Sequence, residues 1–170
     1  FALWMFGKTL ENIWGPKRFL TYYFVTAIGA AILHIIVTQL KISNLIDGMD
    51  ISNVNSVIEN GANILQNRQN YINSSMSKLN LLINIPTVGA SGAVFGVLLA
   101  FGLLFPNTLL YIYFAFPIKA KYFIIIYAII ELYLAIINNP NDNVAHFAHL
   151  GGMIFGYILL KYWQKNKTHF

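Results

Sequence analysis

One octapeptide governs the interpretation of this chain: residues 89–96 have the sequence Gly-Ala-Ser-Gly-Ala-Val-Phe-Gly. It lies where an Asn-rich polar segment ends and a long apolar run begins, and Pro86 and Thr87 before it are typical of a helix start. We therefore expect Ser91 in the first turn of a helix. Backbone N–H groups there have no partner within the helix, and the helix dipole favours negative charge. This helix start could stabilise an oxyanion formed when Ser91 attacks a carbonyl.

The glycines around Ser91 have a second use. Gly89 and Gly92 leave room for a substrate backbone beside the hydroxyl. Gly92 and Gly96 form a Gly-x-x-x-Gly face that lets another helix approach closely. Small residues around a serine also occur in membrane helices purely for packing, so the octapeptide alone leaves both interpretations open.

A candidate base lies in a second glycine-rich stretch, residues 145–152, Ala-His-Phe-Ala-His-Leu-Gly-Gly, at the start of the last apolar run. At about 100° per residue, Gly152 and Gly156 lie within roughly 60° of His149, which therefore shares the close-packing face. Gly152 lies about 120° from His146, and His146 is about 4.5 Å nearer the surface. We expect His149 to be the general base and His146 to be a rim residue.

These motifs resemble those of the rhomboid family of intramembrane serine proteases. The first family motif, Gly-x-Ser-Gly, matches Gly89, Ser91 and Gly92. The second, Ala-His-x-x-Gly-x-x-x-Gly, matches Ala148, His149, Gly152 and Gly156. A third match, Gly7-x-x-x-Glu11-x-x-x-Gly15-x-x-Arg18, resembles the family signature at the second helix and the loop after it. All three occur in the family's order.

The resemblance implies a Ser-His dyad, with Ser91 as nucleophile, His149 as general base, and Phe95 packing on the histidine where family members often have Tyr. It implies single-pass membrane proteins as substrates, cut near the outer membrane face, and it implies no cofactor and no metal. The His and Asn oxyanion donors of the family's second helix would fall upstream of Phe1. We therefore expect the chain to lack the first helix and most of the second.

Composition indicates a membrane protein independently of the motifs. The chain is 57% hydrophobic and 10% charged, against about 45–50% and 25% in ordinary soluble domains. The net charge of +5 comes from Lys and Arg at the ends of apolar runs, which is a topology signal, so no nucleic-acid partner is expected. The sequence contains no cysteine, which excludes disulfides, a thiolate nucleophile and Cys-ligated metal.

The predicted fold is an all-α polytopic membrane bundle of rhomboid type, forming a single domain over residues 1–170 in contact with the lipid bilayer. Residues 1–6 are interpreted as the tail of a helix. Apolar runs predict spans at residues 19–40, 89–105, 122–137 and 144–163. Residues 16–18 and 117–121 are predicted to be basic turns.

Residues 41–84 are predicted to be an extramembrane polar insert between membrane helices. Apolar residues recur there at spacings close to three and four, which predicts one or two amphipathic helices lying on the membrane or the protein. These positions are Val54, Ile58, Ala62, Leu65, Ile72, Met76, Leu79 and Ile83. A disordered Asn-rich insert is the alternative.

Charge predicts the topology. Basic residues flank the first and third turns and the C-terminus, which are therefore assigned to the cytoplasm; they are Lys8, Lys17, Arg18, Lys119, Lys121, Lys161, Lys165 and Lys167. The helices that carry Ser91 and His149 then enter from the opposite face, run parallel, and place both side chains at similar depth. We predict a bacterial inner-membrane protein with a cytoplasmic C-terminus.

Three further polar residues lie in or next to the apolar runs. His34 is expected to bond to a backbone carbonyl, and Asp142 to be a solvated loop charge. Glu131 could be half of an acid or metal site, but a structural hydrogen bond between helices is the preferred interpretation. No carboxylate is assigned to orient His149. Two other functions stay open: a catalytically inactive rhomboid-like chaperone for membrane proteins, or a small transporter using His34, Glu131 and His149 as a polar path.

Overall fold

The computed structural model describes residues 1–87, 89–112, 116–137 and 144–166. These residues form one π-helical segment, Leu3–Gly7, seven α-helices and two short strands. The helices are α1 Lys8–Trp14, α2 Pro16–Ile46, α3 Ile51–Gln66, α4 Ser74–Asn84, α5 Ser91–Leu104, α6 Ala120–Ile137 and α7 His146–Lys165. The predicted all-α class is confirmed.

The two strands were not predicted. Strand β1 (Leu109–Ile112) pairs antiparallel with β2 (Phe116–Lys119), with Leu109 opposite Lys119. Residues 109–116 alternate poorly between apolar and polar side chains, so the period-2 signal of a half-buried strand is missing. The pair leads directly into α6, which begins at Ala120.

Two helices of the described part of the chain, α2 and α6, are long and apolar enough to cross a membrane. Helix α7 has 20 residues. Helix α5 has 14 residues, which gives about 21 Å at 1.5 Å per residue, less than the roughly 30 Å of bilayer hydrocarbon. The expected span at residues 89–105 is therefore shorter than predicted, and Ser91 is its first helical residue.

The first turn of the chain lies one residue earlier than expected. Residues 16–18 begin α2 and do not form a basic turn, because proline is pre-organised for the first helical position. Gly15 makes the turn with φ of 76°, a conformation that favours glycine. Before it, the chain is helical from Leu3 to Trp14.

The chain divides into two compact units, residues 1–34 with 89–170, and residues 35–88. The core of the first unit consists of apolar side chains from the N-terminal helices and from α5, α6 and α7. Its largest buried members include Leu10, Tyr22, Val97 and Leu160. The hydroxyl of Tyr22 donates a hydrogen bond to the carbonyl of Gly96 at 2.9 Å, which ties α2 to α5 close to the serine motif.

The second unit is built on the pair α3 and α4, and its core contains Val54, Val57, Met76 and Leu79. The predicted amphipathic face was one position wrong on α3, because Val57 is fully buried and Ile58 is 60% exposed. Ile72 is fully exposed outside any helix. Helix α2 also runs on to Ile46, past the expected start of the insert at residue 41, since no glycine or proline interrupts it before Gly48.

The register of α3 follows from a polar contact that periodicity does not reveal. Gly61 faces the buried side chain of Asn80, and a side chain at Gly61 would overlap the Asn80 amide oxygen. The Asn80 amide donates to Asn70 at 3.0 Å and accepts from Asn84 at 2.8 Å. Because a buried amide must keep its hydrogen bonds, this network selects the α3 face that carries Gly61.

Candidate active site

Ser91 is the first residue of α5, at a helix start that is open on one side. Ala90 is the N-cap and Gly89 precedes it with φ of 143°, a conformation that L side chains rarely adopt. Ser91 is solvent-exposed in the chain, whereas Gly92 and Ala93 are buried. The N–H groups at the start of α5 have no carbonyl one turn earlier within the helix and are available to an outside acceptor.

Helices α5 and α7 meet along their glycines. A side chain at Gly92 would overlap the Ala148 carbonyl, and one at Gly96 would press on the Gly152 carbonyl oxygen. A side chain at Gly152 would in turn overlap the Gly92 carbonyl oxygen. Because successive contacts advance by one turn in the same direction on both helices, α5 and α7 run parallel with their backbones in close approach.

This approach brings Ser91 and His149 into hydrogen-bond contact. The Oγ of Ser91 lies 2.8 Å from Nε2 of His149. The ring of Phe95 stacks on the imidazole, with centroids 4.1 Å apart and planes at 12°. The histidine is 6% exposed. The Ser91 hydroxyl and the His149 imidazole are therefore within the distance that direct proton transfer needs. The stacked ring of Phe95 limits rotation of the imidazole.

A carboxylate contacts the other nitrogen of the same histidine. Glu131 on α6 is 5% exposed, and its Oε2 lies 2.9 Å from Nδ1 of His149. If Nε2 accepts the Ser91 hydroxyl proton, the single proton of neutral His149 must be on Nδ1, where it is donated to Glu131. Sequence analysis assigned no orienting carboxylate, and Glu131 fills that geometric position.

The sequence contained one signal for Glu131, namely an acidic residue inside an apolar run, which by default indicates function. The sequence did not reveal its partners, because residues 138–143 lie between Glu131 and the histidines and the contact depends on how α6 packs on α7. The preferred interpretation, a hydrogen bond between helices, describes the contact but not its target.

His146 is buried and does not lie at the rim, so that prediction was wrong. It is 8% exposed, and its Nδ1 lies 2.6 Å from the same Oε2 of Glu131. His146 and His149 are three residues apart on α7, so their side chains lie on neighbouring faces of the helix, about 60° apart. The prediction for His146 relied on its smaller depth, although its side chain lies on a face next to that of His149.

The remaining predicted residues have these positions. Gly156 faces α2, where a side chain would overlap the Tyr22 hydroxyl and press on Thr26. Gly7 packs against the ring of Phe19. Asp142 lies outside the described residues.

Comparison with known proteins gives a family for the chain. The family model described as "Rhomboid domain" matches residues 1–165. An uncharacterized mitochondrial rhomboid protein of Schizosaccharomyces pombe is 33% identical over 88 residues, which cover 48% of this chain and 22% of that protein. The matched region is thus less than a quarter of the length of that relative. No solved structure matches the chain.

Proposed function

The chain belongs to the rhomboid family of integral membrane proteins, and on that premise we propose that it is an intramembrane serine endopeptidase that uses Ser91 and His149. The observation that carries the proposal is the 2.8 Å contact between Ser91 Oγ and His149 Nε2 at the meeting point of two glycine-lined helices. The proposed substrates are single-pass membrane proteins, cleaved near the outer membrane face.

In the proposed reaction, His149 Nε2 takes the proton of the Ser91 hydroxyl as Oγ attacks the scissile carbonyl. The proton then passes from His149 to the leaving amine, and an acyl-enzyme on Ser91 remains. Water then attacks the acyl carbonyl while His149 takes its proton, and His149 returns that proton to Ser91 Oγ as the carboxylic acid leaves. Neither half-reaction needs a cofactor.

The oxyanion of each tetrahedral intermediate forms beside the start of α5. The N–H groups at Ser91 and Gly92 have no helical acceptor, and they carry the positive end of the helix dipole. Gly89, extended in a glycine-favouring conformation, keeps the approach to Ser91 free of a side chain. These features support stabilisation of the oxyanion by backbone donors.

Glu131 is proposed to be a positioning residue for His149. A carboxylate that accepts from Nδ1–H keeps the lone pair on Nε2, where the serine proton must go. It also stabilises the imidazolium that exists after proton transfer. The proposed site is therefore a chain of three groups, Ser91, His149 and Glu131, with Phe95 stacked on the central ring.

The proposed orientation places the C-terminus in the cytoplasm, since lysines at 161, 165 and 167 lie at or just after the end of the last apolar run. The starts of α5 and α7 then face the opposite side, and residues 41–84 form an extramembrane segment there. Assignment to a bacterial inner membrane is a prediction from the sequence. The relative in Schizosaccharomyces pombe is described as mitochondrial.

Replacement of Ser91 tests the function. Ser91→Ala is expected to lower cleavage of a reconstituted single-pass substrate by roughly 10⁶-fold, as loss of a serine nucleophile does. A fluorophosphonate should label the wild-type chain and not this variant. Ser74→Ala, at an exposed serine that begins α4, is the matched control and should retain both signals.

Unchanged cleavage by Ser91→Ala would overturn the protease assignment. A folded wild-type chain that neither cleaves nor reacts with the fluorophosphonate would instead favour the non-catalytic rhomboid chaperone.

A further inference from the structure

Three metal-ligating atoms converge beside the serine. Glu131, His146 and His149 are buried, and each offers one ligand atom within 4.8 Å of the other two. Two histidines and one carboxylate form a common protein ligand set for Zn²⁺, with a fourth position left for water. We propose that this cluster is an inhibitory Zn²⁺ site, and that the bound ion prevents His149 from acting as a base.

The geometry needs only a small adjustment to hold the ion. Tetrahedral Zn²⁺ with bonds of about 2.0–2.1 Å separates its ligand atoms by roughly 3.3 Å. Oε2 of Glu131 now lies 2.6 Å from His146 Nδ1 and 2.9 Å from His149 Nδ1. The carboxylate therefore has to withdraw by less than about 1 Å from each imidazole, and the ligand nitrogens of the two histidines, at most 4.8 Å apart, have to approach by up to about 1.5 Å, which small side-chain rotations can supply.

Charge and access favour a cation at this position. The Glu131 carboxyl group is buried between two imidazoles, and a divalent ion bound there would directly compensate the charge of its carboxylate form. His146 is the first residue of α7 and Ser91 the first residue of α5, so both helices begin beside the cluster, whereas Glu131 lies within α6. Ser91, which contacts Nε2 of His149, is solvent-exposed, so the surface lies one side chain away from a ligand of the cluster.

Coordination changes the proton position on His149. A metal ion on Nδ1 uses the lone pair of that nitrogen, so the single proton of the neutral imidazole must be on Nε2. Nε2 then donates to Ser91 Oγ and has no lone pair to accept the serine proton. Binding also removes Glu131 from its bond to His149. The ion therefore inactivates the site without touching Ser91.

Inhibition rests on the proposed function, but metal binding does not, so the two are tested separately. Binding is measured on the full-length Ser91→Ala chain, with Co²⁺ as a visible probe and Zn²⁺ as competitor. We expect one equivalent of Co²⁺ with a four-coordinate spectrum, displaced by Zn²⁺. His146→Gln and Glu131→Gln should each weaken the affinity by more than the roughly 10–100-fold that loss of an outer-shell partner costs.

His34→Gln removes a histidine outside the cluster and is the matched control, for which unchanged affinity is expected. X-ray absorption of the Zn²⁺ form of Ser91→Ala should show two imidazoles and oxygen donors, a result that does not depend on the folding of the ligand variants. Absence of stoichiometric binding, a spectrum without imidazole, or equal affinities in all variants would overturn the site.

Inhibition is measured on wild-type chain freed of metal by a chelator, with cleavage followed as buffered free Zn²⁺ rises. We expect complete loss of cleavage, recovery on adding excess chelator, and a rightward shift of the inhibition curve in His146→Gln relative to its own metal-free rate. Full cleavage with the site occupied would overturn the inhibitory role. A chain that binds the ion but never cleaves would overturn the proposed function and leave the metal site standing.

Discussion

At the residue scale, the proposed chemistry depends on the two ring nitrogens of His149, which lie 2.8 Å from Ser91 and 2.9 Å from Glu131. His146 contacts the same carboxylate, with its Nδ1 2.6 Å from Oε2 of Glu131. Both histidines are buried beside Glu131, and the proposed base is the one in contact with Ser91.

The first prediction separates these histidines. His149→Ala removes the base and should lower kcat by roughly 10⁶-fold. His146→Ala removes one hydrogen bond to a charged group and should cost no more than about 10–100-fold. Rates of cleavage of one reconstituted substrate compare the variants. A larger loss in His146→Ala than in His149→Ala would mean that the base is wrongly assigned.

The second prediction concerns the carboxylate. In Glu131→Gln the amide can turn its NH₂ toward His149 Nδ1, which favours the tautomer protonated on Nε2. We expect kcat to fall by roughly 10²–10⁴-fold with KM nearly unchanged. Glu131→Asp keeps the charge and should recover part of the rate.

Nitrogen NMR of labelled histidine gives a second measurement for Glu131, since it reports which ring nitrogen carries the proton. Glu59→Gln, at an exposed glutamate of α3, is the control and should match wild type. If Glu131→Gln retained the wild-type kcat and tautomer, Glu131 would have no positioning role.

At the element scale, the contact of α5 with α7 sets the distance between Ser91 and His149, the proposed nucleophile and base. Gly92 and Gly96 face Ala148 and Gly152 so closely that backbone carbonyls take the space where side chains would stand. Tyr22 links α2 to α5 at this contact, because its hydroxyl donates a hydrogen bond to the Gly96 carbonyl. The proposed site requires this close approach, because a wider gap between α5 and α7 would move Ser91 away from His149.

The third prediction follows from that contact. Gly152→Ala puts a methyl group into the Gly92 carbonyl, so the helices must separate. Overpacking of this kind typically costs about 1–3 kcal/mol of stability, and cleavage should fall more steeply than stability because the Ser91–His149 distance grows. Thermal unfolding and turnover of the same sample measure the two effects.

Gly48→Ala is the matched control for Gly152→Ala, because the nearest atom to an added methyl is the Leu45 carbonyl oxygen at 3.9 Å. Wild-type turnover in a folded Gly152→Ala chain would show that close approach of α5 and α7 is unnecessary.

At the scale of the whole molecule, the proposed orientation is set by the distribution of basic residues at the ends of the apolar helices. The chain has no cysteine, so a single introduced cysteine reports the side of the membrane without a background signal.

The fourth prediction uses this property. Asn60→Cys, exposed on α3, should react with an impermeant maleimide in intact cells. Lys165→Cys, exposed at the end of α7, should react only after permeabilisation. The opposite pattern would invert the topology, and with it the face from which a substrate reaches Ser91.

Local patterns in the sequence were sufficient for the membrane class, the helix that begins at Ser91 and the candidate pair Ser91 and His149, whose roles stay predictions. Each depends on neighbours along the chain: an unbroken apolar run predicts a helix, and glycines four residues apart predict a face for close packing. The same local reasoning had no means of detecting the strand pair at residues 109–119, where alternation is weak.

Only the tertiary structure determined which group contacts Nδ1 of His149. Glu131 and His146 meet at 2.6 Å because α6 packs on α7, and no spacing within either helix encodes that contact. It also decided that α3 buries Val57, since Asn80 needs Gly61 opposite it. A helix's periodicity specifies which residues share a face, whereas the partner of that face, and so the environment of every buried polar group, depends on how the helices pack.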